Sequence, residues 1–230
     1  MHFSHANEIW CDFPELSAGA LYAEGIRRDV DVGARVAALQ GETQARLGTK
    51  AESELTEIQA WRRAFSKMGL KPTQYRCASE ALLRRFRKEG SLPGIHPLID
   101  LCNAVSLVFA IPVAAIDATK IAGSLQVRYA SGAERYLTFS GEVEYPEPRE
   151  VMFADEAGNA HARRWTNRQS GLSAVRDDTG AALIVAEALH EKAAEDIGRL
   201  TATLADAIGA IWATPVKSAV LSRQAPRFEF

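Results

Sequence analysis

Apolar residues in this chain recur at two different spacings, and the change from one to the other divides it. Residues 31–68 carry a three-to-four spacing that predicts helix, interrupted near Gly41 and Gly48. In the second piece Leu55, Ile58, Trp61, Phe65 and Met68 fall on one helical face, with Gly69 and Pro72 as stop signals. Ser79 is placed to cap a helix running to Glu89 and closed by Gly90. After a loop at 91–97, His96-Pro97 opens a further helix to about Ile111, with Pro97 suited to its first turn and Pro112 ending it.

From Leu125 the spacing becomes two. Leu125, Val127 and Tyr129 alternate with Gln126 and Arg128, Ser131-Gly132 reads as a turn, and Arg135 to Phe139 returns, which predicts a hairpin. Val151 to Ala154, a turn over Asp155 to Asn159, and Ala160 to Trp165 predict a second. Ala181 to Glu187 reads as a short buried strand, and Ala20 to Ala23 as an isolated one. His190 to Trp212 predicts a long helix with Ile197, Leu200, Leu204, Ile208 and Ile211 on one face. His2 and His5 are expected to be loosely held, as is the tail after Thr214. Helices, then strands, then a final helix point to an α+β fold of mixed sheets with flanking helices. The expectation is a single domain over 1–230: an N-terminal extension at 1–60, a central region at 61–189, a helix at 190–213 and a tail at 214–230.

Composition narrows the class. The 230 residues are 47% hydrophobic and 24% charged, ordinary globular values that need no metal or disulfide staple. Cys11, Cys77 and Cys102 are odd in number and widely spaced, which predicts reduced thiols and a cytoplasmic setting. Met1 to His5 lacks the basic and apolar segments of a signal peptide. The apolar stretch Leu98 to Ile111 is too short to span a bilayer and contains Asp100.

Net charge is −2, yet residues 62–88 hold nine cations, Arg62, Arg63, Lys67, Lys71, Arg76, Arg84, Arg85, Arg87 and Lys88, against Glu80 alone. That window is +8 and leaves the remainder at −10. It reads either as a phosphate-binding face or as solvated helix surface paired to the acidic remainder. Asp100, Asn103 and Ser106 interrupt an otherwise apolar helix at a spacing of three. Such a stripe either lines a pocket or ties backbone turns together, because a buried Asp needs partners. His190-Glu191 starts like a zinc-protease motif, but Ala194 stands where the second histidine belongs. No dinucleotide fingerprint, phosphate-cradling glycine loop or GxSxG elbow is present, so no metal and no cofactor is expected.

A set of short motifs in order carries a resemblance. These are Lys71-Pro72-Thr73-Gln74-Tyr75-Arg76, Ser79-Glu80-Ala81-Leu82, Leu92-Pro93 and Leu98-Ile99-Asp100-Leu101-Cys102-Asn103-Ala104-Val105-Ser106-Leu107. Pro112, Asp117, Gly123, Val127-Arg128, Arg163-Arg164-Trp165, Arg168-Gln169, Thr179 and Ala186-Glu187-Ala188 continue it. Over about Trp61 to Glu187 the chain resembles the editing module of the phenylalanyl-tRNA synthetase β subunit, in its free-standing form. That module hydrolyses wrongly attached tyrosine from its tRNA with a positioned water, in a pocket between two sub-structures. The resemblance implies that Asn103 and Glu187, with His96, do the chemistry, Glu187 reading the substrate side chain. It further implies that Asp100, Ser106, Arg164, Trp165 and Gln169 contact substrate, and that Asp117 is structural. Ala114 stands where the synthetase module has a histidine, and His96 where free-standing relatives favour asparagine. The resulting expectation is a trans-acting deacylase of mischarged, aminoacylated tRNA, with no membrane or DNA partner. A non-catalytic RNA-binding module and a binder of amino-acid-like small molecules are the alternatives.

Overall fold

The computed structural model describes residues 1–48 and 50–230. In chain order the strands are β1 His2–His5, β2 Ser17–Glu24, β3 Val113–Asp117, β4 Leu125–Tyr129, β5 Tyr136–Leu137, β6 Val143–Glu144, β7 Val151–Asp155, β8 Ala160–Arg163, β9 Arg168–Gln169, β10 Ala181–Ala188, β11 Val216–Leu221 and β12 Arg227–Glu229. The α-helices are α1 Asn7–Asp12, α2 Gly33–Leu47, α3 Thr56–Lys67, α4 Ala78–Glu89, α5 Pro97–Phe109 and α6 Ala193–Trp212. They form two main sheets, one ordered β12-β1-β4-β7-β8-β9 and one ordered β11-β2-β10-β3, plus the small β5-β6 ribbon. The fold is α+β, as the order of elements predicts.

Strand β10 explains how the sheets stack. Both its faces are buried, so it reads as a near-continuous apolar run. Ala182, Ile184 and Ala186 meet α5 and α6 in one core, while Leu183 and Val185 meet the six-stranded sheet, α3 and α4 in the other. Alternation then puts Glu187 on the same side as Leu183 and Val185, between the sheets. On the opposite side α6 lies directly on β2. A Cβ at Gly19 would sit 2.3 Å from Thr201 Oγ1 and 3.2 Å from Ile197, so only glycine allows that approach.

Three expectations about these elements change. Gly41 does not interrupt α2, whose Leu39, Thr43 and Leu47 are buried; the break comes at Gly48. Ser79 does not cap α4: Cys77 occupies that position without a side-chain bond, and the amide of Ala78 donates instead to Thr166 O at 2.9 Å. The first predicted hairpin does not form. Glu134 accepts from Arg128 and from the amides of Ser131 and Gly132, which steers the chain out of the sheet. Strand β4 consequently pairs with β1 and β7, while β5 pairs with β6. The second predicted hairpin, β7 with β8, does form.

Both chain ends are structural. Strand β1 lies inside the six-stranded sheet, parallel to β4 and antiparallel to β12. The tail supplies β11 to one sheet and β12 to the other, with Leu221 and Phe228 buried. Mostly exposed edge strands carry a weak apolar period, which is why the sequence hides them.

Gly19→Ala is expected to lower stability by roughly 1–3 kcal/mol through overpacking. The readout is a lower denaturant midpoint at unchanged slope; a midpoint equal to the parent's would contradict the contact between α6 and β2.

Candidate functional site

Between the two sheets lies a cavity of about 430 Å³, counted with its open mouth. Phe153 and Ala162 from β7 and β8 form one wall, and Val113, Ala114 and Val185 from β3 and β10 the other. The segment Trp165 to Gln169 and Ala78, the first residue of α4, complete the lining. Most of the lining is apolar, and Glu187 is set into it at 1% exposure.

A carboxylate in such surroundings needs donors. Glu187 Oε1 accepts from His5 Nε2 at 2.6 Å and from Trp165 Nε1 at 2.8 Å. Among the described residues Oε2 has no hydrogen-bond partner. His5 is itself buried, ringed by Phe3 at 5.2 Å and Trp10 at 4.9 Å between centroids. Trp165 stands edge-on to Phe13 at 4.8 Å and Trp61 at 5.0 Å. One oxygen of Glu187 is therefore fixed by the N-terminal strand and the turn after β8, while the other is uncommitted in the cavity.

That turn is strained. Arg164 and Trp165 have φ of 46° and 58°, left-handed values that non-glycine residues seldom adopt. Compensating bonds hold it: Arg164 N donates to Glu150 Oε1 at 2.9 Å, and Trp165 N to Val151 O at 2.6 Å. Asn167 Nδ2 donates to Arg76 O at 2.8 Å, which ties the turn to the approach to α4. Glu150 is gripped by Arg163 through two bonds of 2.9 Å. Burial raises the Glu150 pKa, but these bonds outweigh it and hold the carboxyl below its ordinary value. In the same lining, Thr166 Oγ1 is buried and has no partner among the described residues. Gln169 Nε2 donates to Ala115 O at 2.7 Å, which fixes the amide and leaves its oxygen free among the described residues.

The structure brings only some of the expected residues together. Glu187, Trp165 and Gln169 line the cavity. Asp100 and Asn103 line a different groove, between α2, α5 and Leu92 to Gly94, where Asp100 also accepts from Ile95 N at 2.8 Å. Ser106 is buried and donates to Ile111 O at 2.6 Å. His96 Nδ1 accepts from Leu98 N at 3.2 Å and so caps α5, with burial lowering its pKa; it borders a separate depression with Arg176 and Asp177. Asp117 accepts from Thr179 and Thr119 and secures the end of β3.

Of the nine cations at 62–88, six already have partners. Arg62 and Arg76 pair with buried Glu80, and Arg84 and Arg87 with buried Glu52. Arg85 pairs with Glu89, and Lys67 donates to Asp12 O. Arg63, Lys71 and Lys88 are exposed and have no partner among the described residues.

Three other constellations lie away from the cavity. Ser173, His161 and Asp155 form a hydrogen-bonded line of 2.8 and 3.1 Å, but all three are buried and none touches the cavity, so it is a structural link. Burial pushes the Cys77 thiol up to about 11 and that of Cys102 up to about 12, which removes both as nucleophiles near neutral pH. Glu57, His190 and Asp196 place ligand atoms within 4.8 Å of one another, but Arg46 and Arg199 already bond the two carboxylates. No helix among the described residues is long and apolar enough to cross a membrane.

His5 is the participant that sequence reasoning missed. The signal was present: Phe3 and His5 share the inward face of a period-two segment, but four residues at a chain end are too few to read as a strand.

Residues 60–207 match the family model described as the B3/4 domain. The phenylalanine–tRNA ligase β subunit of Shewanella oneidensis is 27% identical over 174 residues, 74% of this chain and 22% of that protein. Its counterpart in Nocardia farcinica is 35% identical over 77 residues, 34% of this chain and 9% of that protein. The chain thus spans about a fifth or less of these relatives' length. An N-terminal fragment of the phenylalanyl-tRNA synthetase β subunit from Pyrococcus horikoshii has a similar fold. Its TM-score is 0.50 at 10% identity, over 93% of this chain and 49% of that one.

Breaking the buried pair is costly because it strands the carboxylate. His5→Ala is expected to cost roughly 3 kcal/mol, the lower end for such a pair since Trp165 still donates. Chemical denaturation measures it, and a loss under roughly 1 kcal/mol would contradict the bridging role of His5.

Proposed function

The chain belongs to the B3/4 domain family, and from that membership we propose that it is an aminoacyl-tRNA deacylase, hydrolysing mischarged tRNA in trans. One observation carries the reading: a single carboxylate, Glu187, stands in a mostly apolar cavity, beside Thr166, Asn167, Arg168 and Gln169, with one oxygen held and, among the described residues, the other uncommitted. Such a site accepts an amino-acid side chain that is largely apolar and ends in a hydroxyl or amine. It disfavours one with no donor, because the buried acceptor is then left unpaired.

The reaction is the addition of water to the ester carbonyl, with the ribose oxygen leaving as a hydroxyl. The ester is already activated, so placement of water and substrate supplies much of the rate. Thr166 and Gln169 line the cavity, and the Thr166 hydroxyl and the free oxygen of Gln169 are suited to hold that water. Asn103 lines the separate groove between α2 and α5 and acts at the substrate only if the ligand extends there.

A second reading is a tRNA-binding module without catalysis. Ala114 on the cavity wall favours it, because no imidazole is available there as a base.

The test is a deacylation screen over tRNAs charged correctly and incorrectly, with Glu187→Gln as control. The expected outcome is selective loss of esters whose side chains end in a donor. Glu187→Gln should reduce that rate about 10- to 100-fold, the worth of a hydrogen bond to a charged group, while its melting temperature shows the fold intact. If no ester is hydrolysed across the panel while tRNA still binds, the second reading replaces the first.

A further inference from the structure

The strained turn has two sides. Trp165 and Thr166 serve the inter-sheet cavity, whereas Arg164 lines a separate open groove with Arg149, Tyr75 and Met68. Arg149 repeats the peculiarity of Arg164: its φ is 66°, a left-handed value at a non-glycine residue. Its amide is tied down as well, donating to Ala130 O at 2.9 Å. Two arginines are thus held on costly backbone at the edge of one groove, and such strain concentrates where a side chain must be aimed.

Each guanidinium lies over an aromatic ring. Arg149 is 4.9 Å from the centroid of Tyr129, and Arg164 4.8 Å from that of Tyr75. Stacking fixes the plane of the group and leaves its N–H edge open. Among the described residues neither guanidinium has a hydrogen bond or an ion pair. Arg163, next in sequence, shows the contrast, since Glu144 and Glu150 consume it. Glu150 borders the groove but is fully engaged, which leaves Glu147 as the one lining carboxylate without a cation partner among the described residues.

Two planar, pre-oriented cations with open edges suit bidentate contact with phosphate oxygens. Tyr75 and Met68 add an apolar surface on which a base or ribose can lie. We infer that this groove holds the phosphodiester backbone of the single-stranded RNA end whose terminal ester enters the inter-sheet cavity. The inference rests on the deacylase reading for its ligand. Arg164 and Thr166 are two residues apart, at most about 7 Å of chain, so one RNA end can serve both sites. This assigns backbone contact to Arg149 and Arg164, outside the basic stretch at 62–88.

The experiment uses uncharged RNA, so it does not depend on hydrolysis. Anisotropy follows binding of a short RNA hairpin with a four-nucleotide 3′ overhang, and of the same hairpin made blunt, at about 50 and 200 mM salt. The parent chain is compared with Arg149→Asn/Arg164→Asn, asparagine being tolerant of left-handed backbone, and with the Arg→Lys pair. Melting temperatures establish that each is folded. The expected result is an affinity loss on the order of 10-fold for the overhang hairpin, with the salt slope smaller by about 1.4, or 0.7 per lost phosphate contact on a single strand. The Lys pair should fall between, since lysine keeps the charge and loses the bidentate edge. The blunt hairpin should bind more weakly and ignore the substitutions. Equal affinity and slope for parent and Asn pair would overturn the inference, as would failure of the parent to bind the overhang. Equal competition by polyglutamate of matched charge would reassign the groove to an acidic protein. If the Asn pair loses binding but no aminoacyl ester is ever hydrolysed, the deacylase reading fails and the groove stands. If hydrolysis is robust and binding unaltered, the groove alone fails.

Discussion

A carboxylate between two sheets must be given donors, and in this chain that requirement draws distant parts together. Glu187 sits near the end of β10, a strand buried on both faces. Its donors come from residue 5 and residue 165. Meeting the first requires the N-terminus to enter the six-stranded sheet as β1. Meeting the second requires the chain after β8 to turn through two left-handed residues, so that the Trp165 indole points inward. The packing of Phe3, Trp10, Phe13 and Trp61 around those donors then follows. A group that costs stability to bury has become a bridge between the sheets, and its remaining oxygen is an unpaired acceptor, among the described residues, in a mostly apolar cavity.

The same turn couples the cavity to its surroundings. Its bonds run to Glu150, to Val151 and to the segment leading into α4. Glu150 is held in turn by Arg163, so the strain at Arg164 and Trp165 is offset by a charged network with little exposure to water. This arrangement explains why Arg163 is consumed structurally while Arg164, among the described residues, keeps its guanidinium free. Most of the basic stretch at 62–88 likewise serves folding, because Glu52 and Glu80 are buried and each draws two arginines.

Much of the fold was legible where a period ran long. Helices α3, α5 and α6, the β7-β8 hairpin and buried β10 follow from spacing alone. Short strands at the ends were not legible: β1 has four residues and β12 three, and their pairing is decided by partners more than a hundred residues away. The missing first hairpin has a local cause that spacing cannot register, the capture of turn amides by Glu134. At the site, the family resemblance carried Glu187, Trp165 and Gln169 onto positions that share a cavity. It also grouped Asn103 and His96 with them, although α5 directs Asn103 to another groove and His96 to its own N-terminus. Residues on one helix and one strand can match a motif and still face different spaces. His5 belongs to the site yet lies outside the stretch of resemblance, so only the fold could reveal it.

The proposed deacylase chemistry depends on Glu187 reading a ligand side chain inside the inter-sheet cavity. A crystal structure with a non-hydrolysable aminoacyl-adenosine, its ester replaced by an amide and its side chain ending in a hydroxyl, addresses it directly. The side chain is expected between Phe153 and Val185, its hydroxyl within hydrogen-bond distance of Glu187 Oε2 and its amide carbonyl near Thr166 and Gln169. A ligand seated instead in the groove beside Asp100 and Asn103, with the inter-sheet cavity vacant, would contradict it.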